Sequence, residues 1–268
     1  MVLPAPPAPS EPCETVDAFH YGRFHLVQPK GRGHRAGMDA MLLAALVPDD
    51  ATGRLADLGA GAGAAGFAVA VRAPRLHVDL VERSAFMAHY ARRSIALPQN
   101  GALAGRLSVI EADVTLAGRA RLAAGLADEV YDHVVMNPPF NAAADRRTPD
   151  AEKADAHAMQ PDMFETWIRT AGAIARPGAQ LSLIARPGSL AAVIAGCGRR
   201  FGGLEITPVH PRAEEAAIRI LVTAIKGSRA GLSLRSALVM HDGNGHAFSP
   251  RVNALNNGEA FHPRLSSR

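Results

Sequence analysis

At 268 residues and 48% hydrophobic content, the chain is long enough for one large core with an appendage. No uninterrupted apolar run reaches the roughly 18–20 residues that span a bilayer, so a soluble, cytoplasmic protein without a membrane partner is expected. Its two cysteines, Cys13 and Cys197, offer neither a zinc spacing nor a disulfide framework, and no metal site is expected. The net charge of +4 and pI of about 9.5 permit a nucleic-acid partner. The cations are nearly all Arg, with Lys only at Lys30, Lys153 and Lys226, and biased codon usage in an Ala-rich chain produces the same pattern.

Residues 1–18 read as a disordered, Pro-rich extension, and Met1–Pro12, without a basic region followed by an apolar one, does not read as a secretory signal. Phe19–Phe24 and Leu26–Gln28 then read as a small strand pair, and Met38–Val47 as a short helix stopped by Pro48. Together they make an N-terminal unit over residues 19–50, ahead of a main domain over 51–260.

In the main domain, strand and helix patterns alternate. Strand Arg54–Leu58, glycine loop Gly59–Gly63, helix Ala64–Arg72, strand Leu76–Val81 and helix Ser84–Leu97 come first, with Ser84 as N-cap. Strand Leu107–Glu111, a poorly patterned helix near Leu116–Leu126 and strand Tyr131–Met136 follow. Helix Met163–Ala175, strand Gln180–Ala185 and helix Ser189–Gly196 complete a parallel α/β sheet. Leu204–Val209, Ala217–Ile225 and Leu232–Met240 look like strands with no helix between them, which predicts antiparallel strands at one edge. The long loop Asn141–Gln160 has the length of a lid or a disordered segment.

The glycine loop, Asp57-Leu-Gly-Ala-Gly-Ala-Gly63, lets the backbone turn sharply and approach a nucleotide-like cofactor. Gly61 to Gly66 matches G-x-G-x-x-G, with Glu82 about 20 residues on, as in dinucleotide sites. Against NAD stands Asp57 at the strand end: a pyrophosphate is better met by bare N–H groups, whereas a carboxylate suits S-adenosylmethionine (SAM), which carries a sulfonium and an ammonium. Gly59, Gly61 and Gly63 would line this cofactor, Glu82 would accept from ribose hydroxyls and Asp113 from the adenine amino group. Asp39, on the short helix, is placed to close over it or to cap the helix.

Asn137-Pro138-Pro139-Phe140 ends the strand Tyr131–Met136, where an open α/β sheet places its chemistry. The Asn137 carboxamide oxygen and the Pro138 carbonyl can both accept from one NH2 group, Phe140 offers a stacking face, and the prolines stiffen the turn. This combination points to methyl transfer onto nitrogen, with Asn137 also beside the cofactor. Trp167, on Met163–Ala175, reads as a core residue.

Asp57–Gly63, Glu82, Asp113 and Asn137–Phe140, in this order, resemble class I SAM-dependent methyltransferases that act on amino groups. That resemblance implies a Rossmann-like, mostly parallel seven-stranded sheet with antiparallel C-terminal edge strands. The segment Gln28–Asp39, the Asn-Pro-Pro-Phe-Asn141 variant, His157 after the lid, and His210 followed by Ala217–Gly227 are similar to the bacterial tRNA1(Val) (adenine-37-N6)-methyltransferase family over residues 20–260. The chain departs from that family at Ala36-Gly37-Met38 and in its Pro-rich extension. The resemblance implies a tRNA partner and adenine N6 as acceptor; a monomer or weak homodimer is expected. Arg146, Arg147 and Lys153 in the lid, with Lys30, Arg32 and Arg35, are then candidate phosphate contacts. Guanine N2, cytosine N4 or a protein glutamine amide would use the same Asn-Pro-Pro-aromatic device. An NAD-dependent oxidoreductase and a non-catalytic RNA-binding module are the readings outside this class.

Overall fold

The computed structural model describes residues 14–30, 35–139, 162–243 and 245–265. Its first element is an antiparallel hairpin of β1 (Glu14–Phe19) and β2 (Phe24–Pro29), closed by the pair Phe19↔Phe24. The sequence reading set Phe19–Phe24 as a strand; those residues instead bracket the turn. His20, Tyr21 and Gly22 all have positive φ, and the Gly22 N–H donates to the Phe19 carbonyl at 3.0 Å. β1 thus begins at Glu14, within the stretch expected as an extension.

The main sheet contains β3 (Thr52–Leu58), β4 (Arg75–Glu82), β5 (Leu107–Glu111), β6 (Tyr131–Met136), β7 (Ala175–Ala185), β8 (Phe201–His210) and β9 (Arg219–Lys226). Across the sheet they stand in the order β5-β4-β3-β6-β7-β9-β8. β9 runs antiparallel to both β7 and β8, while the pairings from β5 to β7 are parallel. Strands such as Leu55–Leu58 and Val78–Val81 are buried without alternation because helices cover both faces.

The helices are α1 (Met38–Ala44), α2 (Ala64–Arg72), α3 (Ala85–Ile95), α4 (Gly101–Ala104), α5 (Gly118–Ala123), α6 (Met163–Ile174), α7 (Leu190–Cys197) and α8 (Pro250–Asn256). One half of the core joins α1 and α2 to Phe24 of the hairpin through Leu43 and Phe67, whose ring centroid is 5.9 Å from that of Phe24. The other half joins α6 and α7 through Ile168, Ile174 and Val193.

The expected last strand, Leu232–Met240, is corrected to two short pieces, β10 (Ser233–Leu234) and β11 (Leu238–Val239), both parallel to β8. Both sides of β9 are already taken by β7 and β8. The next segment, running opposite to β9, must pass beyond β8, and there its direction is parallel. No helix among the described residues is long and apolar enough to cross a membrane.

Strand order reverses between β3 and β6: the chain goes outward through β4 and β5, then returns to β6 on the other side of β3. A crevice opens at the carboxyl ends of strands on either side of such a reversal. Leu58 pairs with Met136, so Gly59 and Asn137 are next to each other on that edge.

Candidate active site

The loop after β3 folds over the end of β4. N–H groups of Gly59 and Ala60 both donate to the Val81 carbonyl, at 2.9 and 3.0 Å, and Gly59, Gly61 and Gly63 take φ of 72°, 58° and 97°. Two carboxylates hold this loop. Glu82 Oε2 accepts from the Gly61 N–H and Oε1 from the Ser84 N–H, each at 2.8 Å. Ser84 in turn caps α3, its hydroxyl accepting from the Met87 N–H at 3.4 Å.

Asp57 is turned inward. It is 2% exposed, and Oδ2 accepts from the Gly66 N–H in the first turn of α2 at 2.9 Å. Burial pushes its carboxyl up to about 7, the Gly66 hydrogen bond opposes that rise, and the negative charge of Glu82 adds to it. Asp57 and Glu82 are thus two acids beside one loop, with no cationic side chain paired to either among the described residues.

Asp113, two residues past β5, is half-buried and accepts from the Thr115 N–H through Oδ1 at 2.8 Å, which fixes the turn beyond the strand. Asp39 on α1 accepts through Oδ2 from Nε of Arg219 at 2.9 Å. Because β9 is antiparallel, its first residue, Arg219, lies at the carboxyl ends of the parallel strands, so this ion pair borders the same edge.

Asn137 directly follows β6. Its Oδ1 is buried and meets no donor among the described residues, and an unpaired buried acceptor costs about 1–3 kcal/mol. Pro138 is buried and Pro139 half-buried. Phe140, Arg146, Arg147, Lys153, His157 and Arg32 lie outside the described residues. Lys30 is exposed at the end of β2. Arg35 is engaged on the hairpin, with Nη2 2.6 Å from Asp17 Oδ2 and Nη1 3.0 Å from Thr15 Oγ1.

Sequence reading missed the part played by Trp167. Its ring is half-buried and packs against the core as expected, but a Cβ placed on Gly59 would be only 2.6 Å from Trp167 Cη2, so its rim also covers the cofactor loop. Helical periodicity identifies an inward face; it does not say which loop that face meets.

The methyltransferase small domain matches residues 35–187, more than half of the chain. The chain belongs to the methyltransferase small domain family. A crystal structure of a predicted O-methyltransferase, protein Atu636 from Agrobacterium tumefaciens, is 55% identical, with 85% of this chain and 100% of that one covered and a TM-score of 0.75. Two more distant structures share the fold. The T. thermophilus 16S rRNA N2 G1207 methyltransferase (RsmC), solved with AdoMet and guanosine, is 19% identical, with 83% of this chain and 52% of that one covered and a TM-score of 0.55. P. horikoshii TYW2, solved with MeSAdo, is 13% identical, with 80% and 72% covered and a TM-score of 0.52. No curated protein matches this chain.

SAM as the donor, read from the sequence of this methyltransferase, agrees with the AdoMet bound in RsmC, and the residues in place fit it. Glu82, with no cationic side chain paired to it among the described residues, suits a ligand that carries positive charge, while buried Asp57 supports the loop from behind through Gly66. The N–H groups of Gly61 and Gly66 are already engaged by Glu82 and Asp57. That leaves carboxylates where the dinucleotide reading required bare donors for a pyrophosphate.

Proposed function

We propose that this SAM-dependent methyltransferase methylates an exocyclic amino nitrogen of an RNA base, with adenine N6 at position 37 of a tRNA as the leading acceptor. The observation that carries the reading is the buried Oδ1 of Asn137, an acceptor with no donor among the described residues, one strand away from the cofactor loop. An amino group supplies the missing donor.

When bound, SAM supplies a methyl group on a positively charged sulfur. Glu82 would hold its ribose hydroxyls, Asp113 its adenine edge, and the loop of Gly59, Gly61 and Gly63 its methionine portion. Asp57 acts through that loop by anchoring Gly66 and contributes negative charge beneath it. The Asp39–Arg219 pair would border the entrance.

Asn137 Oδ1 and the Pro138 carbonyl take the two N–H bonds of the acceptor. An aromatic amine delocalises its lone pair into the ring; two acceptors favour a pyramidal nitrogen whose lone pair faces the methyl, and this preference is strongest in the transition state. The new N–C bond forms as the S–C bond breaks, sulfur keeps the electron pair, and the extra proton on nitrogen passes to water. Phe140 would stack on the base, which must leave its own stack to reach the pocket. RNA phosphates would be met by Lys30, Arg32, Arg146, Arg147 and Lys153, with Arg35 braced against Asp17.

The name of the A. tumefaciens relative favours a second reading, methylation of oxygen. Hydroxyl acceptors need a base to remove a proton during attack, whereas Asn137 and Pro138 offer only neutral acceptors, which suits an amine. Incubation with labelled SAM and unmodified total tRNA, followed by nucleoside mass spectrometry, tests the proposal. N6-methyladenosine is the expected product. N2-methylguanosine would move the acceptor to another base, a 2′-O-methylnucleoside would favour the oxygen reading, and the absence of any methylated nucleoside would direct the search to protein glutamine.

A further inference from the structure

Trp167 is the only tryptophan in the chain. It stands on α6, the helix that leads into β7, and its indole reaches back to the loop after β3. A Cβ on Gly59 would lie 2.6 Å from its Cη2 and 3.0 Å from its Cζ3, so the rim of the six-membered ring rests on the Gly59 backbone. No L side chain fits between them, and Gly59 at φ 72° is already in a conformation that favours glycine.

The helix presenting this ring is itself anchored. Thr170, buried and three residues on, donates its hydroxyl to the Val114 carbonyl at 2.7 Å, on the residue after Asp113. Ile168 packs so closely on Gly196 of α7 that a Cβ there would be 2.9 Å from its Cδ1. One helix therefore braces the loop after β3 and the loop after β5. The backbone it presses upon directly follows Leu58, whose strand partner Met136 directly precedes Asn137 of the acceptor loop.

We propose that Trp167 is a positioning residue for the methyl donor. Pressing on Gly59, the indole fixes the height of the glycine loop relative to Asn137, and its half-buried ring borders the bound cofactor. A rigid aromatic suits this task because it fills a large contact with only two side-chain torsions to fix. The proposal rests on the SAM reading of the site and deepens it.

The test uses the full chain and S-adenosylhomocysteine as probe, with binding followed in parallel by calorimetry and by emission of the single tryptophan. Emission is expected to change saturably and to follow the calorimetric isotherm. Trp167→Ala is expected to weaken binding about tenfold, and Trp167→Phe, whose shorter ring lacks the Cη2 and Cζ3 rim that meets Gly59, to weaken it severalfold. In a size exchange, Gly59→Ala should bind more weakly than Gly59→Ala combined with Trp167→Ala, because removing the ring relieves the 2.6 Å contact.

Calorimetric binding with flat emission would overturn the proposal, as would Trp167→Ala binding as tightly as the wild type. If Trp167→Ala fails to fold, emission and Trp167→Phe still decide: flat emission, or Phe binding as tightly as the wild type, counts against it. Absence of binding heat in a folded wild type would overturn the SAM reading itself, and this proposal with it.

Discussion

Replacing Asp57 by Asn should stabilise the ligand-free protein at alkaline pH while weakening its cofactor site. The carboxyl, ordinarily at 3.8, is pushed up to about 7, chiefly by burial. The folded state then binds a proton that the unfolded state releases, so the stability tied to this group is full below 3.8 and is lost as pH rises through about 7. From pH 5 to 8 the loss is about 3 kcal/mol at about 1.4 kcal/mol per pH unit. Asn keeps an acceptor for the Gly66 N–H and carries no charge, so the variant escapes that loss.

His20 and His262, both pushed down to about 4 by burial, change stability in the opposite sense, raising it as pH climbs through the range above 4. The wild-type curve alone therefore mixes the effects, and the difference between wild type and Asp57→Asn isolates Asp57. In urea unfolding with an m-value of about 3 kcal/mol/M, the midpoint gap between the two proteins should grow by about 1 M from pH 5 to pH 8, in favour of Asn. Calorimetry at pH 8 should show S-adenosylhomocysteine binding more weakly to the variant. Parallel urea curves, with the gap unchanged between the two pH values, would refute the assignment of a buried, proton-holding carboxylate.

Asn137→Ala should lower methyl incorporation into tRNA by about 100-fold or more, as loss of a transition-state hydrogen bond does, with cofactor affinity changed less than about threefold. Labelled-SAM transfer and calorimetry check the two halves separately. Gly66→Ala adds a Cβ 2.3 Å from Leu80 Cδ2 and 3.2 Å from Asp57 Oδ2, and should cost about 1–3 kcal/mol despite the better helix propensity of Ala, read as a lower urea midpoint. Glu82→Gln should weaken S-adenosylhomocysteine binding about tenfold while the fold persists, because Gln supplies one acceptor where Glu82 accepts from both Gly61 and Ser84; calorimetry beside circular dichroism measures both.

Strands β3, β4 and β6 were legible in the sequence because each is a short apolar run ended by a turn or an acidic residue, and covered parallel strands leave that mark. The hairpin was harder. β1 mixes polar and apolar residues, and its turn places His20 and Tyr21 at positive φ, where side-chain type gives little warning. The pieces β10 and β11 depend on which edge of the sheet remains open, a property of the assembled topology.

Within the site, the glycine loop, Glu82 and the strand-end Asn137 could be placed on one edge because motif and strand coincide. Nothing local says that Asp57 faces α2 rather than the crevice, or that Asp39 meets Arg219 across 180 positions of chain. Likewise, the contact of Trp167 with Gly59 joins an α6 residue to a loop more than 100 residues earlier.

The pairing of Leu58 with Met136 has a further consequence. The strand ends that carry the donor and acceptor loops are joined by backbone hydrogen bonds, whose length hardly varies, so the side chains that can change the gap are those that, like Trp167, touch the loops themselves. Substitutions deep in the core can erode the melting temperature while leaving turnover of the surviving molecules untouched. The reaction coordinate is ruled on the peptide ladder, so thermal endurance and catalytic rate can drift independently through most of this sequence.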